Sequence, residues 1–91
     1  MITIVKVSSV EPVGDFRLRI GFSDGLAGIR DLSDILAEPG WMLQPLRDPE
    51  FFKRVFISFG VLTWPNGYDL DSIALHDEMS RAGLLVRTEA A

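Results

Sequence analysis

The clearest hydrophobic rhythm in this chain runs from Phe16 to Ser23, where Phe16, Leu18, Ile20 and Phe22 alternate with Arg17, Arg19, Gly21 and Ser23. A period of two sends successive side chains to opposite faces, so the segment predicts a strand with one buried and one wet face. Arg17 and Arg19 share the wet one. Asp24-Gly25 follows at once and suits a type I′ turn, sending Leu26 to Arg30 back as the third strand of a meander, with Gly28 marking a bulge. The first strand is expected over residues 2–10, apolar on both faces at its start and ended by Glu11-Pro12-Val13-Gly14.

The period then changes. Asp31 to Glu38 sets Leu32, Ile35 and Leu36 on one side of a helix with an acidic first turn, stopped by Pro39-Gly40. Trp41, Met42 and Leu43 make a connection expected to pack against the sheet. Asp48 suits an N-cap, and Pro49 the first position of a second, short helix, because proline gives up a donor that would be unpaired there anyway. Arg54 to Phe59 returns to β character, Gly60 turns the chain, and Val61 to Trp64 forms the partner strand. Asp71 or Ser72 caps a third helix running to Ala82, with Ile73, Leu75, Met79 and Ala82 inward and Gly83 as its stop. Leu84 to Arg87 predicts a short terminal strand or a segment docked on the core. The sum is an α+β fold: a mostly antiparallel sheet of about five strands (β-meander, short helices, β-hairpin) with the short helices on one face. Residues 1–86 form a single α+β domain, and residues 87–91 are expected to fray.

Composition narrows the class. With 91 residues, 47% of them apolar, a core needs neither metal nor disulfide. The absence of cysteine excludes disulfides, thiolate catalysis and thiolate metal sites. No stretch resembles an export signal, and no run approaches the roughly 18 apolar residues of a membrane span, so a cytoplasmic protein without membrane contact is expected. The net charge of −4, from 13 acidic and 9 basic side chains, disfavours a phosphate backbone as the main partner, and no direct nucleic-acid binding is expected.

The densest local chemistry is Trp64-Pro65-Asn66-Gly67-Tyr68-Asp69-Leu70. Pro65 fixes its own φ and biases Trp64 toward an extended backbone, while Asn66-Gly67 accept positive φ, so a strand ends here and the chain turns. On a structural reading Trp64 is a core or semi-buried ring, Asn66 and Gly67 form the turn, and Asp69 accepts from turn amides. On a functional reading Arg47, Trp64, Asn66, Tyr68 and Asp69 form an interaction surface, because Trp, Tyr and Arg are the residue types enriched at hot spots. Residues 51–64 concentrate Phe51, Phe52, Phe56 and Phe59 with Trp64, more apolar bulk than a short hairpin hides. Part of it is a candidate interface, and an edge strand offers a route to a two-fold homodimer by strand addition.

Catalytic patterns are sparse. The only imidazole, His76, falls on the third helix and is expected to be exposed there. Neither a D-x-D-x-D-G loop, an H-x-x-x-H pair nor a glycine-rich phosphate cradle occurs. No catalytic, cofactor or metal-binding residue is assigned and no cofactor is expected.

Four fragments carry a family resemblance: Phe22-Ser23-Asp24-Gly25, Arg30-Asp31-Leu32, Leu46-Arg47-Asp48-Pro49-Glu50-Phe51-Phe52-Lys53, and Trp64 to Leu70. In order and spacing the chain resembles, over roughly residues 4–75, the small prokaryotic domain-of-unknown-function family 2442. The resemblance implies a compact cytoplasmic α+β domain. Some relatives carry a helix-turn-helix domain behind it, and others are encoded beside a second small domain in an arrangement like a toxin–antitoxin pair. No catalytic residues are established for that family, so none carry over. The expected function is a non-enzymatic adaptor or regulatory module acting by protein–protein contact, on the pattern of an antitoxin. The alternatives are a transcription-associated regulator working through a DNA-binding partner, and a small-molecule sensor with a pocket between helix 31–38 and the sheet.

Overall fold

Backbone hydrogen bonds sort the strands into two antiparallel sheets in a computed structural model that describes residues 4–88. In chain order the elements are β1 (Val7–Pro12), β2 (Arg17–Phe22), β3 (Leu26–Asp31), α1 (Ser33–Leu36), a single 3₁₀ turn (Pro45–Arg47), α2 (Pro49–Phe52), β4 (Phe56–Ser58), β5 (Val61–Thr63), β6 (Asp69–Leu70), α3 (Ser72–Arg81) and β7 (Val86–Arg87). The larger sheet has the order β1-β2-β3-β7 and the smaller β4-β5-β6. The α+β class and the meander stand; the strands are divided between two sheets. At their junction the Val7 amide, turned out of the meander beside a bulge between Val7 and Ser9, donates to the Gly60 carbonyl at 2.8 Å.

The alternation in β2 does what its period requires. Leu18, Ile20 and Phe22 are buried and meet Leu32, Leu36, Phe52, Leu62, Trp64, Leu75 and Met79 in one core, while Arg17 and Arg19 lie in solvent. Elsewhere the sequence reading needs correction. Among the described residues the first strand begins at Val7, with residues 4–6 outside it, and continues through Glu11 and Pro12; residues 2 and 3 of the expected strand lie outside the described residues. Pro12 is tolerated because β1 is an edge strand with one unpaired side. The bulge is in β1 and not at Gly28, which stays in register opposite Ile20. Gly28 is there for proximity, since a Cβ would collide with the Leu84 carbonyl oxygen. The β2–β3 connection is a three-residue loop closed by Gly25 N–H to Phe22 C=O at 3.1 Å, with Gly25 but not Asp24 at positive φ, so it is not a type I′ turn.

Helix α1 is one turn long, and the Trp41 expected to pack on the sheet is 78% exposed, because Gly40 and Leu43 turn the chain so that Leu43 takes the core position. In α3 the buried stripe is Ser72, Leu75 and Met79, spaced three and four apart; Ile73 and Ala82 fall outside it and are exposed. Ser72 is satisfied by donating to the Val5 carbonyl at 2.9 Å. Helix α3 ends as expected at Gly83, with the paired bonds Gly83 N–H to Ser80 C=O and Leu84 N–H to Met79 C=O of a Schellman motif. Arg87, the first residue of the expected tail, sits in β7 opposite Leu26, and the Thr88 amide donates to Gly25 C=O at 3.0 Å. Residues 89–91 of the expected tail lie outside the described residues.

Candidate functional site

Helix ends leave backbone groups without partners, and short helices are nearly all ends. Of the residues expected to form an interaction surface, Arg47 and Trp64 serve that internal need. Arg47 donates from Nε to the Leu36 carbonyl at 2.7 Å and from Nη2 to the Glu38 carbonyl at 2.9 Å, closing the C-terminus of α1. Its neighbour Asp48 caps the N-terminus of α2 by accepting from the Glu50 amide at 3.1 Å, with Pro49 in the first position as the sequence implies.

Trp64 is fully buried, and its indole N–H donates to the Phe52 carbonyl at 2.9 Å, at the C-terminal end of α2. Its ring lies 5.9 Å from those of both Phe52 and Tyr68. A ring without solvent contact presents nothing to a partner, so the functional reading of Trp64 is corrected to a core role. The turn after it closes through Gly67 N–H to Trp64 C=O and Trp64 N–H to Tyr68 C=O, both at 2.9 Å. Only Gly67 takes positive φ, at 91°; Asn66 does not. Asn66 is the turn's side-chain acceptor, taking the Tyr68 amide at 3.3 Å, while its Nδ2 donates to the Met42 carbonyl at 2.9 Å and ties down the 40–44 connection. The acceptor role expected of Asp69 therefore belongs to Asn66; Asp69 is an exposed β6 residue opposite Thr63. Tyr68 is half-buried, and burial, reinforced by Glu38 and Asp69, pushes its phenol above the ordinary value.

Two polar ties had no sequence signal, because their members are far apart in the chain. His76, expected to be exposed, packs its ring edge-on against Phe22 at 4.9 Å and places Nε2 2.8 Å from Asp24 Oδ2, joining α3 to the β2–β3 turn. Partial burial acts to raise the pKa of Asp24, but the Leu26 amide and the His76 ring outweigh it and hold the carboxyl below its usual value. Arg30 is buried and clasps Asp34 at 2.9 Å, Glu78 and the Asp31 carbonyl, joining β3, α1 and α3. The Arg30 bond is the chief reason Asp34 is held low, and Asp34 in turn raises the guanidinium.

What remains outward is a pair of rings that the sequence reading placed elsewhere, Trp41 on the sheet and Phe59 within the 51–64 aromatic excess. Trp41 is 78% exposed and Phe59 98% exposed. Phe59 has φ of 52° and Gly60 of 78°, so the two form a type I′ turn between β4 and β5. The signal for it was Gly60, although the sequence reading ran the strand through Phe59, whereas β4 ends at Ser58. For Trp41 it was the Pro39-Gly40 pair, which breaks the chain away from the core just before the ring.

The depression beside α1 is lined by Phe16, Ser33, Leu36, Ala37 and Arg47. Among the described residues no group of three or more His, Cys, Asp or Glu side chains is placed to hold a metal ion, and no helix is long and apolar enough to cross a membrane. Neither the curated proteins nor the solved structures contain a match to the chain. A family model does match, over residues 7–78, and it spans β1 through most of α3, including both fragments whose side chains tie the helix ends together. The chain belongs to that family, the protein of unknown function (DUF2442).

Proposed function

We propose that this domain is a non-enzymatic cytoplasmic contact module, working by protein–protein association in the manner of the neutralising member of a pair. One observation carries the reading: the side chains of Arg47, Trp64 and Asn66 are spent on internal backbone groups, whereas Trp41 and Phe59 are left in solvent. Large aromatic rings are costly to expose and are the residue types that anchor interfaces. Trp41 is the anchor for a different protein. It stands on a connection held in place by the Asn66 bond to the Met42 carbonyl, so the ring is presented from a fixed support.

The test is co-expression at native level with the product of the adjoining gene, followed by recovery through a tag on this chain. The expected result is a stoichiometric complex that Trp41→Ala abolishes while the melting temperature of the isolated chain stays unchanged. Recovery of this chain alone, or a complex indifferent to Trp41→Ala, overturns the reading.

A further inference from the structure

We infer that the chain pairs with a second copy of itself by seating Phe59 of each molecule in a pocket of the other. The pocket, of about 150 Å³, is lined by Gly14, Asp15, Phe16, Pro49, Phe52 and Lys53. An apolar cavity of roughly that volume accepts a benzene ring. Phe16, half-buried, stands edge to face on the buried Phe52 with centroids 5.3 Å apart, so an entering phenyl meets the Phe16 ring.

Phe59 is the ring that fits. It is 98% exposed at the tip of the β4–β5 turn, on a backbone with φ of 52° that turns of this type ordinarily give to Asn, Asp or Gly. A bulky side chain there is a strained choice with no internal contact to offset it.

Charge agrees with shape. Lys6 lies against Gly60, beside the protruding ring, and Asp15 lies on the pocket rim, while Lys53 on that rim is engaged by Glu50 at 3.4 Å. Among the described residues neither Lys6 nor Asp15 has an ion-pair partner.

Position also agrees. The ring and the pocket lie at opposite ends of β1: Val7 bonds Gly60 at one end, and Gly14 to Phe16 follow Pro12 at the other. β1 lies at the edge of its sheet with the β4–β5 turn against its Val7 end, so a two-fold axis across the remainder of that edge would set two β1 strands antiparallel and offer each Phe59 to the other molecule's pocket. The bulge and Pro12 blunt that edge, so the rings and not a continuous ladder hold the pair. Two rings bury about 300–500 Å² of their own surface, below the roughly 1,200 Å² of a standard interface. The dimer is accordingly weak and concentration-dependent, with dissociation in the micromolar range or above.

This inference rests on the reading of exposed rings as contacts, but it concerns Phe59 and not Trp41. The test is sedimentation equilibrium of the full chain, from low micromolar to about millimolar concentration, with Phe59→Asn, Asp15→Lys and the double variant Lys6→Asp/Asp15→Lys. Phe59→Asn relieves the backbone, so its melting temperature is expected to hold or rise while the dimer weakens by about a hundredfold, roughly tenfold for each ring lost. Asp15→Lys weakens the dimer and the double charge exchange restores it. A monomer throughout the range, a dimer unaffected by Phe59→Asn, or growth past the dimer overturns the pairing. None of these results bears on the Trp41 complex, so the two readings fail separately.

Discussion

The indole N–H of Trp64 donates to the carbonyl of Phe52 at 2.9 Å, and this bond joins β5's end to the last turn of α2 inside a core that excludes water. A helix of four residues, Pro49–Phe52, has little cooperativity of its own and depends on such outside partners. Trp64→Phe keeps an aromatic ring but removes the shorter of two bonds to the Phe52 carbonyl, which keeps only the Val55 amide at 3.3 Å, and it leaves a void. The expected loss is about 2–4 kcal/mol in chemical denaturation. Fluorescence separates the two tryptophans: in Trp41→Phe the remaining emission is blue-shifted and resists iodide, whereas in Trp64→Phe it is red-shifted and quenched. Iodide quenching of Trp64 in the folded protein contradicts the buried bond.

Arg47 spans two carbonyls with one planar fork, which a lysine ammonium does not reproduce. Arg47→Ala is expected to cost about 1–2 kcal/mol, and Arg47→Lys to recover less than half of that. Hydrogen exchange gives the local readout, with faster exchange concentrated in residues 33–38. A uniform change across the chain would show that Arg47 does not act on α1.

These two ties mark where the sequence was legible. The strand period of 16–22, the Asp48-Pro49 helix start and the Gly83 stop are local, and each follows from residues within one or two turns. The same locality let the Trp64-Pro65-Asn66-Gly67 run announce a chain reversal. Its partners were not legible, because Phe52 and Met42 meet Trp64 and Asn66 only after the hairpin packs on the preceding connection. Arg30 with Glu78 and Asp24 with His76 are longer-range still. Exposure was hardest to foresee: Trp41 and Ile73 look like core residues by composition, and geometry alone turns them outward.

Gly28 packs β3 against the chain leaving α3, with room for a hydrogen but not for a methyl beside the Leu84 carbonyl. Gly28→Ala must push that backbone away, and β7, only Val86–Arg87 long, has few bonds with which to resist. A cost of about 1–3 kcal/mol is expected. Hydrogen exchange in β7 should quicken with it, since the displaced segment leads into that strand. A variant as stable and as slow to exchange there as the parent would refute the close contact.

Acid should unfasten the fold through its carboxylates. Asp34 is held below its ordinary value chiefly by Arg30, and Asp24 is lowered by the Leu26 amide and His76 against the opposing effect of partial burial. For a carboxyl whose folded pKa lies below its unfolded value, the stabilisation is complete above the unfolded pKa of about 3.9 and disappears as pH falls through the folded one. Urea midpoints measured from pH 7 downward should therefore hold until about pH 4 and then decline. Asp34→Asn removes one such carboxyl. It should be less stable than the parent at neutral pH, lose less on acidification, and approach the parent's curve at the acid end. Because Arg30 is buried and Glu78 remains its only other carboxylate partner among the described residues, the neutral-pH deficit includes the cost of a guanidinium left half-paired. Curves that run parallel at every pH would mean that the Asp34 carboxylate is not linked to folding, and that the Arg30 clasp does not join α1 to the sheet in solution.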